Sequence, residues 1–240
     1  MAQEIRIYKT PQAVAEAFAS NLYKWLKEQK EVHIALSGGS TPKLLFSHLS
    51  THYKNRIDWR RIHLFWGDER CVPPEHADSN YKMTRELLLQ HINIPAKHIH
   101  RVRGEANPQE EARRYEQEIL AHLMTKNKWP IFDLIILGMG SDGHTASIFP
   151  NQMELLHSDH ICEVATHPES GQKRITLTGE VINRAKQVAF LITAEAKTEV
   201  LAEILAQTGA WETYPTSHIK PRGDLIFYLD ESAAGKINRH

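Results

Sequence analysis

The sequence predicts an α/β protein, with a mainly parallel sheet covered by helices on both faces. Three observations carry this. Apolar, strand-like runs alternate with helical patterns along the chain. The run Phe132-Asp133-Leu134-Ile135-Ile136-Leu137 is aliphatic without alternation, as in a strand buried on both faces of a parallel sheet. Glycine-bearing turns follow three of the strands at once, at Ser37, Gly67 and Gly138, and open α/β sheets hold their ligands just beyond such strand ends.

Thr10-Pro11 predicts a helix start, with threonine as N-cap and proline at the first helical position. Val14, Phe18, Leu22, Trp25 and Leu26 then share one helical face. Val32 to Leu36 reads as a strand, and Pro42 suits the first turn of a helix carrying Leu44, Leu45 and Leu49. Ile62 to Trp66 is a second strand, ending in Gly67-Asp68-Glu69-Arg70. Ser79 caps a helix bearing Tyr81, Met83, Leu87 and Leu88. Asn107-Pro108 with Glu110 resembles a capping box, opening a helix through Tyr115, Ile119 and Leu123. Leu134 to Leu137, Ile175 to Leu177, Val188 to Ile192 and Leu225 to Leu229 are further strands, with a helix from Ala194 to about Ala206. No repeat, low-complexity tract or linker divides the chain, so 1–240 is expected to be one domain.

Composition excludes several function classes. The 41% hydrophobic and 24% charged residues describe an ordinary soluble globular protein. Lys+Arg and Asp+Glu both number 29, so no overall field draws in nucleic acid or a membrane surface. Cys71 and Cys162 form neither a disulfide framework nor a zinc motif, which suits a reducing compartment. Met1 to Thr10 lacks the apolar stretch of a signal peptide, and no run reaches the ~20 apolar residues of a membrane span. A cytoplasmic location is expected. The fifteen histidines read as scattered, without ligand spacing and mostly solvated. With no exposed apolar stripe, a monomer is expected.

Three loops carry candidate chemistry. Ser37-Gly38-Gly39-Ser40-Thr41-Pro42 lies between a strand and a helix. Unpaired amides and the dipole at a helix start favour phosphate, and the hydroxyls of Ser37, Ser40 and Thr41 add donors. A plain capped glycine turn is the alternative, and the lysine of a P-loop is missing. In Gly67-Asp68-Glu69-Arg70, charges at a strand end are costly unless paired or solvated. Arg70 there suits a phosphate, a carboxylate or a developing oxyanion, or else a simple surface ion pair. Gly138-Met139-Gly140-Ser141-Asp142-Gly143 satisfies the dinucleotide pattern, with Glu163 at 20 residues past Gly143. Pro150 falls too soon for the long helix that pattern needs, Asp142 would face the pyrophosphate, and the motif is mid-chain. His144 reads instead as a general base on a glycine loop, kept neutral by a following helix start, or as a mere turn cap. Asp142 would orient its ring or carry protons itself. Arg174 and Lys197, at the edges of two later strands, suit a bound phosphate or plain solvent exposure.

Taken together the blocks resemble the glucosamine-6-phosphate isomerase/6-phosphogluconolactonase family over nearly the whole chain. The resemblance runs through Leu36 to Pro42, Gly67 to Pro74, His76 with Asp78 to Tyr81, and Gly138 to Ser147. Arg174 to Thr178, Ile182-Asn183, Leu229-Asp230 and Ala233-Ala234 continue it. It implies a Rossmann-like sheet that hydrolyses 6-phosphogluconolactone in the pentose phosphate pathway, with a phosphorylated sugar lactone as partner and neither metal nor cofactor. The family's catalytic histidine falls on His144 and its arginine on Arg70, and Asp68 of the same element is expected among the substrate- and phosphate-binding residues. The phosphate loop, Ser37, Gly38, Gly39, Ser40 and Thr41, is assisted by Arg174 and Lys197. Ala194 stands where the family often has glycine. The deaminase branch resembles DGHIAFNEP at this point, and Ile148-Phe149 here replaces its Asn-Glu. A silent sugar-phosphate sensor would carry an added DNA-binding segment or lack the base, and neither feature is present.

Overall fold

The computed structural model describes residues 3–237; the predicted 1–240 domain extends at both ends beyond them. In chain order the first half holds β1 (Gln3–Tyr8), α1 (Pro11–Leu26), β2 (Val32–Leu36), α2 (Ser40–His52), β3 (Ile62–Trp66), β4 (Asp68–Arg70), α3 (Asn80–Leu87) and α4 (Pro108–His122). A small hairpin, β5 (Thr125–Lys126) and β6 (Trp129–Pro130), precedes β7 (Leu134–Leu137) and β8 (Cys162–Thr166). The chain closes with β9 (Lys173–Leu177), α5 (Gly179–Ile182), β10 (Gln187–Ile192), α6 (Thr198–Ala206) and β11 (Asp224–Asp230).

Six strands form a wholly parallel sheet in the order β1-β11-β10-β7-β2-β3. From β2 the chain steps outward to β3, while β7, β10 and β11 build in the other direction. The order therefore reverses between β2 and β7, which pair through Ile34↔Leu134 and Ala35↔Ile135. That is the crevice where doubly wound sheets bind ligands. All four residues of β7 are buried, and burying each aliphatic side chain contributes about 1.5–3 kcal/mol. Helices cover both faces. Register puts Phe227, Phe190, Ile135, Ala35 and Phe65 on one side, where Phe65 meets Tyr115 of α4. Tyr228 points to the other, against Phe18 of α1.

Local signals act as expected where they are self-contained. The Thr10 hydroxyl accepts from the Ala13 amide, and α1 buries Val14, Phe18 and Leu22. Ser79 caps α3. Asn107 accepts from the Gln109 and Glu110 amides, but Glu110 does not answer, so only half of the predicted box forms among the described residues. The predicted helix from Ala194 begins instead as a 3-10 turn, Glu195–Lys197, before α6. Arg70 and Arg174, read as strand ends of a parallel layer, belong to a second, antiparallel sheet, β4-β9-β8. None of the helices among the described residues is long and apolar enough to cross a membrane.

The histidines are the clearest correction. His33, His63, His98, His100 and His122 are not scattered but gather under α4, His63 and His100 being buried. Ring centroids of His63 and His98 are 3.9 Å apart, and Phe65 stacks on His100 at 4.2 Å. Burial and the neighbouring imidazoles push His63 down to about 3, and burial also lowers His98 and His100. The residues come from two strands, the segment between α3 and α4 and the end of α4, far apart in sequence, so no local spacing announced them.

Candidate active site

A cleft of about 800 Å³, open to solvent, lies over the carboxyl ends of β2, β3, β7 and β10. Ser37, Gly38, Gly39, Ser40 and Thr41 form one wall, and Asp68, Arg70, His144, Arg174 and Lys197 complete it. Ten of the eleven predicted site residues thus converge, and Asp142, the eleventh, stands directly behind His144.

The first wall is the start of α2. Gly39 is its N-cap at φ 109°, a conformation that favours glycine. No side chain caps the helix, so its first amides remain available to an anion. The buried Ser37 hydroxyl has no partner among the described residues. Thr41 differs from expectation: its hydroxyl is engaged with that of Thr193, 2.7 Å away at the end of β10.

The second wall is built by β4 and β9, where Arg70 is the direct cross-strand partner of Arg174. Like charges so placed cost roughly 0.2–1 kcal/mol. Arg70 donates through Nη1 to the Asp78 carbonyl at 2.6 Å. Arg174 reaches the Ser147 hydroxyl at 3.4 Å and the Asp68 carboxylate at 4.0 Å. The Nε of each arginine is buried without a partner among the described residues, which leaves two cationic donors unanswered. Burial pulls the Arg174 guanidinium below its ordinary value, with Arg70 adding to the effect and Asp68 opposing it.

Asp68, predicted beside the phosphate, faces the cleft with its carboxylate already occupied. It accepts from the Ser147 hydroxyl at 2.7 Å and from the Asn80 amide at 3.4 Å. It holds the arginine wall in place. Glu69 does the same from behind, accepting from the Arg70, Asn80 and Tyr81 amides and the Ser79 hydroxyl. Burial raises its pKa, and those amides hold it back. Asn80, Ser147, Glu69 and Thr193 went unassigned in the sequence. Their only signal is a polar residue sitting inside or beside an otherwise buried strand or helix start.

The third element is the loop after β7. The His144 ring donates through Nδ1 to Asp142 Oδ1 at 2.6 Å, and the same oxygen accepts from the His144 amide at 3.2 Å. Burial pushes Asp142 up, but the bond and charge of His144 outweigh it and hold the carboxyl at about 2. In the neutral ring this bond places the proton on Nδ1, so that Nε2 is the nitrogen with the lone pair. A Cβ on Gly140 would fall 2.1 Å from His144 Nδ1, so glycine is what lets the imidazole fold back over the loop. The following segment is a turn and then a 3-10 helix, Pro150–Leu156. No helix start adjoins His144, and its tautomer is set by Asp142 alone. Glu163, the would-be ribose ligand, is tied up with Arg113 and Ser158.

Lys197 enters at the fourth edge, half-buried, with burial drawing its pKa down and Asp142 opposing. The turn that aims it passes through Ala194 at φ 82°, ψ 146°, pinned by the Asp230 carboxylate on its amide at 3.2 Å. That region is accessible essentially to glycine alone.

The chain as a whole has known relatives. The family described as Glucosamine-6-phosphate isomerases/6-phosphogluconolactonase matches residues 8–227. The chain belongs to this family. A 6-phosphogluconolactonase of Haemophilus influenzae is 42% identical over 228 residues, 94% of this chain and 96% of that protein. The crystal structure of devB protein superposes with a TM-score of 0.94 at 42% identity, covering 98% of this chain and 100% of that one. The 6-phosphogluconolactonase from Trypanosoma brucei gives 0.89 at 30% identity, with 98% of each chain covered. Ile148 and Phe149, which stand where the deaminase-type motif reads Asn-Glu, are fully buried apolar residues.

Proposed function

We propose that this chain hydrolyses 6-phospho-D-glucono-1,5-lactone to 6-phosphogluconate, the lactone step of the pentose phosphate pathway. One observation carries the reading: an imidazole with Nδ1 bound to a carboxylate shares a cleft with Ser37, Arg70 and Arg174, whose Oγ and two Nε atoms have no partner among the described residues. The phosphate rests on the α2 start with Arg174 and Lys197, and the ring carbonyl turns toward His144. His144 Nε2 takes a proton from water as its oxygen attacks the carbonyl carbon. Arg70 faces the oxyanion. The bond from that carbon to the ring oxygen then breaks, and the departing oxygen takes the proton back from the imidazolium. Positioned acid–base catalysis supplies ~10²–10⁴-fold, and one oxyanion donor about 3 kcal/mol. No step calls for a cofactor. A small phosphorylated substrate and two free cysteines suit the cytoplasm.

Two assays on the same preparation test the reading. Lactone opening above the spontaneous rate, with no release of ammonia from glucosamine 6-phosphate, is expected. Ammonia release without lactone opening would overturn it.

A further inference from the structure

The amino ends of β2 and β3, opposite the cleft, carry a second set of chemically capable groups. One ligand atom from each of Glu31, His33 and His63 falls within 4.8 Å of the others. His33 and His63 are direct register partners, so both rings leave the same face of the sheet.

Proton counting shows what this arrangement lacks. A neutral imidazole has one N–H and one acceptor nitrogen. His100 Nδ1 lies 2.7 Å from Glu118, a carboxylate also held by Arg114, and so donates there. His100 Nε2 must then accept, and the atom 2.9 Å from it is His63 Nδ1, which must donate. His63 Nε2 is left with only a lone pair. It is buried with no hydrogen bond of acceptable geometry, yet Glu31 Oε1 stands 2.9 Å away. In that tautomer the two lone-pair atoms, 2.9 Å apart, repel unless a proton or a metal cation joins them. On the other side, His33 Nδ1 faces Asp133 at 3.4 Å, leaving its Nε2 free to ligate.

We propose that Glu31, His33 and His63 bind a divalent first-row transition cation of the zinc type, apart from the reaction centre. Two imidazoles and a carboxylate with a fourth position open to solvent are a recurring zinc ligand set. The His63–His100–Glu118 relay supplies the outer carboxylate that orients a ligating imidazole. His33 lies four residues before Ser37 on an extended strand, about 13 Å at ~3.3 Å per residue. The cation therefore stabilises the base of β2 and β3 without touching substrate. This proposal stands whether or not the lactonase reading does.

The test uses the full chain, cleared of metal by chelator, with Co²⁺ as visible probe and Zn²⁺ as competitor. Wild type is expected to take up one Co²⁺ with intense tetrahedral-type absorption, displaced by Zn²⁺, and to melt at a higher temperature with Zn²⁺ present. Glu31→Gln, at an exposed position, is expected to bind at least about tenfold more weakly while opening lactone at the wild-type rate. His144→Ala is expected to leave Co²⁺ binding unchanged. Wild-type affinity in Glu31→Gln, loss of the band in His144→Ala, or no saturable uptake would each overturn the proposal.

Discussion

Arg70 and Arg174 stand directly opposite each other on antiparallel strands, each with a buried Nε that no group among the described residues accepts. Two guanidinium groups in that relationship repel until negative charge on a bound substrate offsets them. The wall is thus held ready by Asp68, Ser147 and Glu69 at some cost to the empty protein.

Removing one of the pair separates binding from folding. Arg174→Met is expected to raise KM by roughly 10–100-fold, the worth of a charged hydrogen bond at ~1.5–3 kcal/mol. Its melting temperature without ligand should match or exceed that of wild type. Steady-state kinetics with thermal melts read both, and a fall in stability with KM unchanged would contradict the assignment.

Asp142→Asn leaves the loop but removes the acceptor that fixes the His144 tautomer. A loss of roughly 10⁴ in kcat accompanies the equivalent change in a serine protease triad, and a fall of 10²–10⁴ is expected here.

The same carboxylate gives acid-range stability a sign. Its pKa is about 2 when folded against an ordinary 3.8, so the unfolded chain takes up the proton first. The stabilisation is complete above 3.8 and drains away as pH falls toward 2. Urea melts from pH 5 to 2 should show a shallower loss in Asp142→Asn than in wild type.

Gly140→Ala and Gly138→Ala form a matched pair. A Cβ at Gly140 would meet the His144 ring, whereas one at Gly138 has nothing within 4 Å. The first is expected to cut kcat at least 100-fold with the fold retained, and the second to change it less than about threefold. Circular dichroism and hydrolysis rates distinguish them.

Ala194 holds a backbone conformation that costs about 1–3 kcal/mol for any residue with a Cβ. Ala194→Gly should therefore raise the melting temperature by roughly 2–4 °C per kcal/mol recovered. An unchanged or lowered melting point would show that the turn relaxes at Ala194.

What could be read in advance follows from how local each cause is. The Thr10 and Ser79 caps, the β7 run and the glycine loops are written within a few residues, and they form as expected. Ala194 in place of glycine was also legible, and its consequence is the strained turn before Lys197. The Asp68–Ser147 bond joins residues 79 positions apart, and the pairing of Arg70 with Arg174 needs a small antiparallel sheet that three charged residues do not advertise. The histidines repeat the lesson: their clustering exists only once β2, β3 and α4 are packed. Buried polar partners of a site are fixed by tertiary register, which a single sequence does not display.

The central claim is that His144 is the proton carrier while other residues hold the phosphate. Its most direct test is lactone hydrolysis by wild type and His144→Gln, corrected for spontaneous opening, with 6-phosphogluconate binding measured by calorimetry on both. The account predicts a kcat lower by ~10²–10⁴ with product affinity within a few-fold of wild type. Equal corrected rates, or affinity lost in step with rate, would contradict it.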